Sequence, residues 1–479
     1  MRWLWIIGVM ASVGTAWSDP DTLDNVRARL LATPAAAGPD TRRQAVLASL
    51  DGFLEKPGSE RSNEVAAYYR AMVDHALAEI AAEKVEEGVV IWKLYSSALV
   101  VKTPKTVFGI DLDEGPNSNS GNPDKVAGLS GITLHMTAKQ RRRLAELVDV
   151  SFHTHRHHDH VNYQITKELV AAGKTVVVTE DIRTMWRDEP FASGLTVLTP
   201  LRGPKHRVGK LRVEVLRSRQ WMARDHSVEC PCNAYLVTTD NDVNVLFKGD
   251  INDGEEILPW LREIKARGDG VDLYVSAPFF WSGTDALPKI QRMFAPFIIP
   301  GHEYEYTHRK PGESGSGTGS YTSMWGRFRA SIDRGKCAIL SWGEKFQYAA
   351  RLHREATAPL TWMEVSPEPA EVRVMPGETF TVRLNALAGG TTIRRRYLAF
   401  KSTPETRHLP GFDVRDWGAI RHDADGDGVF EVSTKDWKPG HYVLECTADD
   451  WPKGSTRVTD SIRVTVLPAE AQTKPAHRE

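Results

Sequence analysis

The sequence predicts a layered α/β domain, preceded by a helical segment and followed by a β-sandwich. Three observations predict it. From Val89 to about Ala350, apolar strand-like runs alternate with helical stretches, the pattern of a sheet covered by helices. Ahead of that region apolar residues recur at helical spacing, and behind it short alternating segments are separated by turn residues. The length, 479 residues, suits two or three units at roughly 100–200 residues each.

Taken in order, the chain opens with one positive residue, Arg2, ahead of an apolar run from Trp3 to Val13 and small residues at Ala16 and Ser18. This is the layout of a secretory signal peptide over residues 1–18, and it predicts a secreted or periplasmic protein. The run falls short of the ~20 residues that a membrane span needs, so no transmembrane segment is expected after cleavage. Residues 19–86 read as a helical lead-in, with apolar stripes from Ala45 to Leu54 and from Val65 to Ile80.

Residues 87–352 carry the strand and helix alternation. Val89–Val101 and Thr106–Asp111 read as strands, and Thr137 with Gln140 makes a capping box opening a helix through Leu147. The strand Val148–Phe152 follows, then a helix from Gln164 to Ala172 that stops at Gly173, then the strand Thr175–Thr179. Further strands are read at Leu211–Leu216, Ala234–Thr238, Val243–Phe247, Leu273–Ala277 and Phe297–Pro300. A Gly- and Ser-rich stretch, Lys310–Ser320, reads as a flexible loop.

Residues 357–468 alternate at period two between turns, as in Glu371–Leu384, Gly440–Thr447 and Ser461–Val466, which predicts an Ig-like β-sandwich. Asp423–Gly428 looks like half of a calcium loop. Its twelfth position is Thr434 rather than Glu, so a hairpin turn is the better reading. Residues 469–479 read as a disordered tail.

Composition narrows the function. Lys plus Arg total 61 against 62 for Asp plus Glu, a net charge of −1, so no bulk charge draws the chain to nucleic acid or anionic lipid. Four cysteines, Cys230, Cys232, Cys337 and Cys446, are too few for a disulfide scaffold.

The chemistry lies in residues 153–160, where His155, His157, Asp159 and His160 hold fixed offsets directly behind an apolar strand. Imidazoles with a carboxylate suit a borderline metal, zinc in the first place, with manganese or iron as alternatives. A turn at the strand's carboxyl end can aim His155 and His157 at one metal and leave Asp159 and His160 for a second. The open end of the strands is where sites of such folds normally lie.

The run Thr154-His-Arg-His-His-Asp-His160 resembles the signature of the metallo-β-lactamase superfamily. The resemblance implies an αββα sandwich over about residues 89–350, with two divalent cations bound between its sheets. It implies three further ligands, each sought by context: His226 before a strand, Asp250 after the Val243–Phe247 strand in a Gly-Asp pair, and His302 after Phe297–Gly301, with His308 the weaker candidate for the last. The segment around His226 lacks the small-residue turn common in the family and carries Cys230 and Cys232 instead; Asp250 argues against a cysteine ligand. A bridging hydroxide generated there would cleave an ester, lactone, amide or phosphodiester of a small molecule or polymer, with Asp159 orienting it or assisting proton transfer. Asp111, at a strand end, is either a partner that orients an imidazole or a turn residue, and His153 reads as packing. A non-hydrolytic or di-iron redox module of the same fold is the alternative.

Overall fold

A computed structural model describes residues 22–116, 131–221, 229–251, 254–276, 290–291, 293–306 and 319–349, and in the C-terminal part 364–388, 391–392, 395–400, 419–422, 429–435, 437–449 and 457–468. Residues 1–18, read as a signal peptide, His226, His308, residues 310–318, residues 423–428 and residues 469–479 lie outside them. No helix among the described residues is long and apolar enough to cross a membrane.

Three helices lead: α1 (Leu23–Ala32), α2 (Thr41–Leu54) and α3 (Asn63–Ala82). Each starts on a side chain that accepts a first-turn N–H, from Thr22, Asp40 and Ser62 respectively, the capping that satisfies donors the helix itself leaves open. A seven-stranded sheet follows: β1 (Val89–Lys93), β2 (Leu99–Lys102), β3 (Val107–Ile110), β4 (Val150–Phe152), β5 (Thr175–Val178), β6 (Leu195–Val197) and, late in the chain, β13 (Lys345–Tyr348). The second sheet holds six strands: β7 (Leu201–Val208), β8 (Leu211–Trp221), β9 (Glu229–Thr238), β10 (Asn244–Phe247), β11 (Leu273–Ser276) and β12 (Phe297–Pro300). The connecting helices are α4 (Ala138–Leu147), α5 (Tyr163–Ala171), α6 (Glu180–Met185), α7 (Gly254–Ala266), α8 (Tyr321–Arg327) and α9 (Arg329–Ile332).

Alternation within the strands builds the layers. Val89 and Ile91 of β1, Val213 and Val215 of β8 and Val245 and Phe247 of β10 belong to one core shared by both sheets. Their neighbours Val90, Trp92, Leu216 and Leu246 belong to a second core with the helices, including Leu47 and Leu50 of α2 and Trp260 and Ile264 of α7. Successive strand side chains point to opposite faces, so each sheet is apolar on both and sits between its partner and a helical layer. The mixed α/β architecture expected from the sequence is present.

In each sheet one half is parallel. β3 through β6 run parallel on one side, and β10 through β12 on the other. The carboxyl ends of β3, β4, β10 and β12 are therefore free to deliver loops to one place.

The expected long strand from Val89 to Val101 is instead a hairpin of β1 and β2. Its turn places Ser96 at φ 44°, and the buried Tyr95 and Leu94 continue the apolar run through it. An unbroken apolar stretch therefore hid the turn. The edge strands β6, β7 and β13 escaped the sequence reading, being short or, in β7, broken by a register shift.

The C-terminal strands form two further sheets: β14 (Glu364–Glu368), β16 (Thr379–Ala388), β17 (Thr391–Thr392) and β20 (Val429–Ser433) in one, and β15 (Glu371–Val374), β18 (Arg395–Phe400), β19 (Ala419–His422), β21 (Gly440–Asp449) and β22 (Arg457–Val466) in the other. Val382, Leu384, Phe430 and Val432 of the first share a core with Leu444, Cys446, Ile462 and Val464 of the second.

One buried ion pair ties the lead-in to the sheets. Arg43 on α2 donates to both carboxylate oxygens of Glu344, at 2.8 and 2.7 Å, and to the carbonyls of Thr33 and Ile339. Removing one partner of such a pair strands a buried charge. Arg43→Met is expected to lower the free energy of urea unfolding by about 3–5 kcal/mol; a loss under about 1 kcal/mol, the range of an ordinary surface change, would show that the clamp contributes nothing.

Candidate metal centre

The histidine-rich segment leaves β4 at Phe152, and its backbone is tied to three neighbours. Asp111 N donates to Phe152 O at 2.8 Å, His153 N to Val177 O at 2.9 Å, and Asn233 N on β9 to Thr154 O at 2.8 Å. The second sheet thus grips the loop that the first sheet supplies. Within the loop, His157 O accepts the N–H groups of His160 and Val161. Asn162 closes the segment by capping α5, its Oδ1 accepting from Gln164 N and Ile165 N at 3.0 and 3.1 Å.

Two groups of donors result. Asp159, His160, Asp250 and His302 each bring a ligand atom within 4.8 Å of the others, and so do His155, His157 and Asp250. Asp250 belongs to both. Six of the seven residues expected as ligands therefore meet in one place. The seventh, His226, lies outside the described residues.

Two of the imidazoles, His160 and His155, are aimed by a hydrogen bond at the other nitrogen. His160 Nδ1 donates to Asp111 Oδ2 at 2.8 Å, so its Nε2 faces Asp159 Oδ2 at 3.3 Å, Asp250 Oδ2 at 3.4 Å and His302 Nε2 at 2.7 Å. Thr154 Oγ1 donates to Asp111 Oδ2 at 2.9 Å and accepts from His155 Nδ1 at 3.1 Å. That leaves the lone pair of His155 on Nε2, which is buried and makes no hydrogen bond. Neither oxygen of the buried Asp159 carboxylate makes one either. Buried polar atoms in folded proteins are nearly always satisfied. Orphaned atoms at this density, with two imidazole nitrogens facing each other, fit a cluster that holds cations.

The electrostatics agree. Burial lowers the His155 imidazole well below its usual range and His157 to about 4, with neighbouring imidazoles also lowering His155; both rings are neutral at pH 7. Burial lowers His160 too, but Asp159, Asp250 and Asp111 together outweigh it and hold the ring well above its usual range. Burial alone would raise Asp159 and Asp250, yet the surrounding imidazoles hold both well below the ordinary carboxylate range.

Asp111, expected either as an orienting partner or as a turn residue, is both: its φ is 45° and its two oxygens take Thr154 N, Thr154 Oγ1 and His160 Nδ1. His153 is packing, as expected, its Nδ1 on His160 O at 2.8 Å and its Nε2 on Ser151 Oγ at 3.1 Å. Cys230 and Cys232 are free, buried thiols. Burial pushes Cys230 up to about 12 and Cys232 well up, so neither offers a thiolate. Cys232 Sγ lies 3.7 Å from His155 Nδ1, the nitrogen turned away from the cluster.

Three contributors escaped the sequence reading. Ser97 Oγ donates to Asp159 O at 2.5 Å, Gln220 Nε2 lies 3.4 Å from Asp250 Oδ2, and Ser96 O accepts His302 N at 3.1 Å. A hairpin turn and the far end of a long strand carry them, and neither leaves a motif.

No family model matches the chain, and no curated protein does. Several similar solved structures are described as hydrolases or as having the metallo-β-lactamase fold, and these match about half of this chain; another is CmlA, a diiron beta-hydroxylase from Streptomyces venezuelae, 15% identical over 47% of this chain and 46% of its own, with a TM-score of 0.31. A possible metal-dependent hydrolase from Veillonella parvula is 12% identical over 55% of this chain and 100% of its own, with a TM-score of 0.40. Isothiocyanate hydrolase from Delia radicum gut bacteria is 15% identical over 54% of this chain and 99% of its own, at 0.38. The metallo-β-lactamase fold protein YhfI from Bacillus subtilis is 13% identical over 45% of this chain and 86% of its own, at 0.30. Likenesses this loose say nothing of activity.

Gly249 shows how tightly the cluster is built. Its φ is 52°, and a Cβ there would stand 2.6 Å from both Cβ and Oγ1 of Thr154. Gly249→Ala is expected to cost about 1–3 kcal/mol in chemical unfolding, through overpacking and a left-handed backbone. An unfolding midpoint equal to that of the unaltered protein would show that Thr154 moves aside freely.

Proposed function

We propose that the chain is a dinuclear metallo-hydrolase of the metallo-β-lactamase superfamily. The observation that carries the reading is the convergence of His155, His157, Asp159, His160, Asp250 and His302, with His155 Nε2 and both Asp159 oxygens buried and without a hydrogen-bond partner. His155, His157 and Asp250 would hold one ion; Asp159, His160, Asp250 and His302 would hold the other, and His226 is proposed as a further ligand of the first. Zinc is proposed for both positions on the strength of the imidazole-rich donor set.

Cations held there would supply Lewis acidity and would lower the pKa of a bound water toward neutrality. The chain's own residues do the rest. Asp159 accepts a hydrogen from the attacking water and orients it toward the substrate carbonyl or phosphorus. Asp111 keeps His160 and, through Thr154, His155 in the tautomer that offers Nε2. Esters, lactones, amides and phosphodiesters are the substrate classes this geometry serves. In the same reading residues 1–18 direct export, and the C-terminal sheets are an Ig-like sandwich attached to the catalytic unit.

The test is metal content together with turnover. Protein purified with zinc and dialysed is expected to retain two equivalents and to hydrolyse at least one member of a panel of chromogenic esters, lactones, cephalosporins and phosphodiesters. Asp250→Ala is expected to abolish metal retention and turnover together, and Asp111→Ala to weaken metal binding about 10–100-fold. Full metal occupancy in Asp250→Ala would refute the ligand assignment. Bound iron with oxygen consumption and no hydrolysis would refute the hydrolase.

A further inference from the structure

The His302 segment is held in place from outside the two sheets. His302 has φ 75° and Tyr304 has φ 56°, and neither is glycine. Side chains rarely adopt that backbone, and it persists only where surroundings over-determine it. The surroundings here come largely from the N-terminal helix α2. Asp51, 5% exposed, accepts from Tyr304 Oη at 2.5 Å and Tyr321 N at 3.0 Å on one oxygen, and from Thr322 N at 2.8 Å and Thr322 Oγ1 at 2.5 Å on the other. One turn along α2, Leu54 O accepts from Tyr306 Oη at 3.0 Å. Tyr304 is wedged against Tyr321 and Trp342, with ring centroids 5.1 and 6.1 Å away.

A carboxylate buried on the core face of a helix is costly unless it is fully hydrogen-bonded. Within α8 the Ser320 and Ser323 capping box satisfies only Ser323 N, so Asp51 also takes the open Tyr321 and Thr322 N–H groups, but capping does not account for its bond to Tyr304 Oη. What Asp51 adds is a tether between α8 and Tyr304, two residues beyond His302.

We propose that Asp51 is a positioning residue for His302: acting through Tyr304, the helical lead-in keeps the last imidazole of the cluster in its strained, ligating pose. The proposal rests on the metal reading given above. It predicts that damage at Asp51 reaches the Asp159, His160, Asp250 and His302 group and spares His155 and His157.

The experiment is titration of the metal-free full chain with cobalt(II), followed by its visible absorption. The unaltered protein is expected to bind two equivalents. Asp51→Ala and Tyr304→Phe are each expected to weaken one equivalent about tenfold and to leave the other within about twofold, the size of loss that supporting hydrogen bonds give. Asp40→Ala, which removes the N-cap of the same helix, is expected to leave both unchanged. Equal weakening of both equivalents, or equal effects of Asp51→Ala and Asp40→Ala, would reduce Asp51 to a general structural role. Should Asp51→Ala not fold, Tyr304→Phe decides alone, and unaltered binding of both equivalents in it overturns the proposal. An unaltered protein that binds no cobalt overturns the metal reading itself, a result distinct from two-equivalent binding that Asp51→Ala leaves intact.

Discussion

The cluster depends on one carboxylate. Asp111 is 2% exposed, and its two oxygens receive Thr154 N at 2.7 Å, Thr154 Oγ1 at 2.9 Å and His160 Nδ1 at 2.8 Å. The first contact fixes where the loop leaves β4. The second turns the threonine hydroxyl so that it accepts from His155, and the third holds His160. A ring nitrogen that donates outward leaves the other with its lone pair inward. One side chain at the end of β3 therefore sets the chemical face of two imidazoles, one in each donor group.

Around that hub the backbone departs repeatedly from its easy conformations. Asp111, His302, Ser96, which receives the His302 N–H, and Gly249 all have positive φ. For the three that are not glycine, such positions cost of order 1–3 kcal/mol each, and they gather at functional sites. Here they have a geometric cause: β3, β4, β10 and β12 all end at the same place, and chains leaving four strand ends must turn sharply to bring short side chains together. Gly249 is the extreme case, since its neighbour Asp250 belongs to both donor groups and its own Cα lies against Thr154.

The same geometry explains what could be read without coordinates. His155, His157, Asp159 and His160 were legible because they lie within six consecutive positions behind an apolar strand, so local chain order and spatial order coincide. Asp250 and His302 were legible because each follows an apolar run, β10 or β12, that had to be a buried strand. Ser97 and Gln220 were not, because their approach depends on a hairpin inside one apolar run and on the reach of β8 past its apolar part. Asp51 was hidden for a related reason. It sits in a helix whose apolar stripe reads as packing, and its partners lie some 250 and 270 positions away. Periodicity reports the face of an element and is silent on which distant segment meets that face.

A purely structural account of the cluster fails on energetic grounds. Buried ionic groups are a poor source of stability, and apolar residues of similar volume often serve as well or better. Networks kept for rigidity saturate their donors and acceptors. The carboxylates of Asp111 and Asp51 do so among hydroxyls, N–H groups and an imidazole. The Asp159 carboxylate, five per cent or less exposed like Asp250 beside it, does not. Burial drives the His155 and His157 rings neutral, while Asp159, Asp250 and Asp111 hold His160 well above its usual range. A cation would satisfy the orphaned His155 Nε2 and the Asp159 oxygens together.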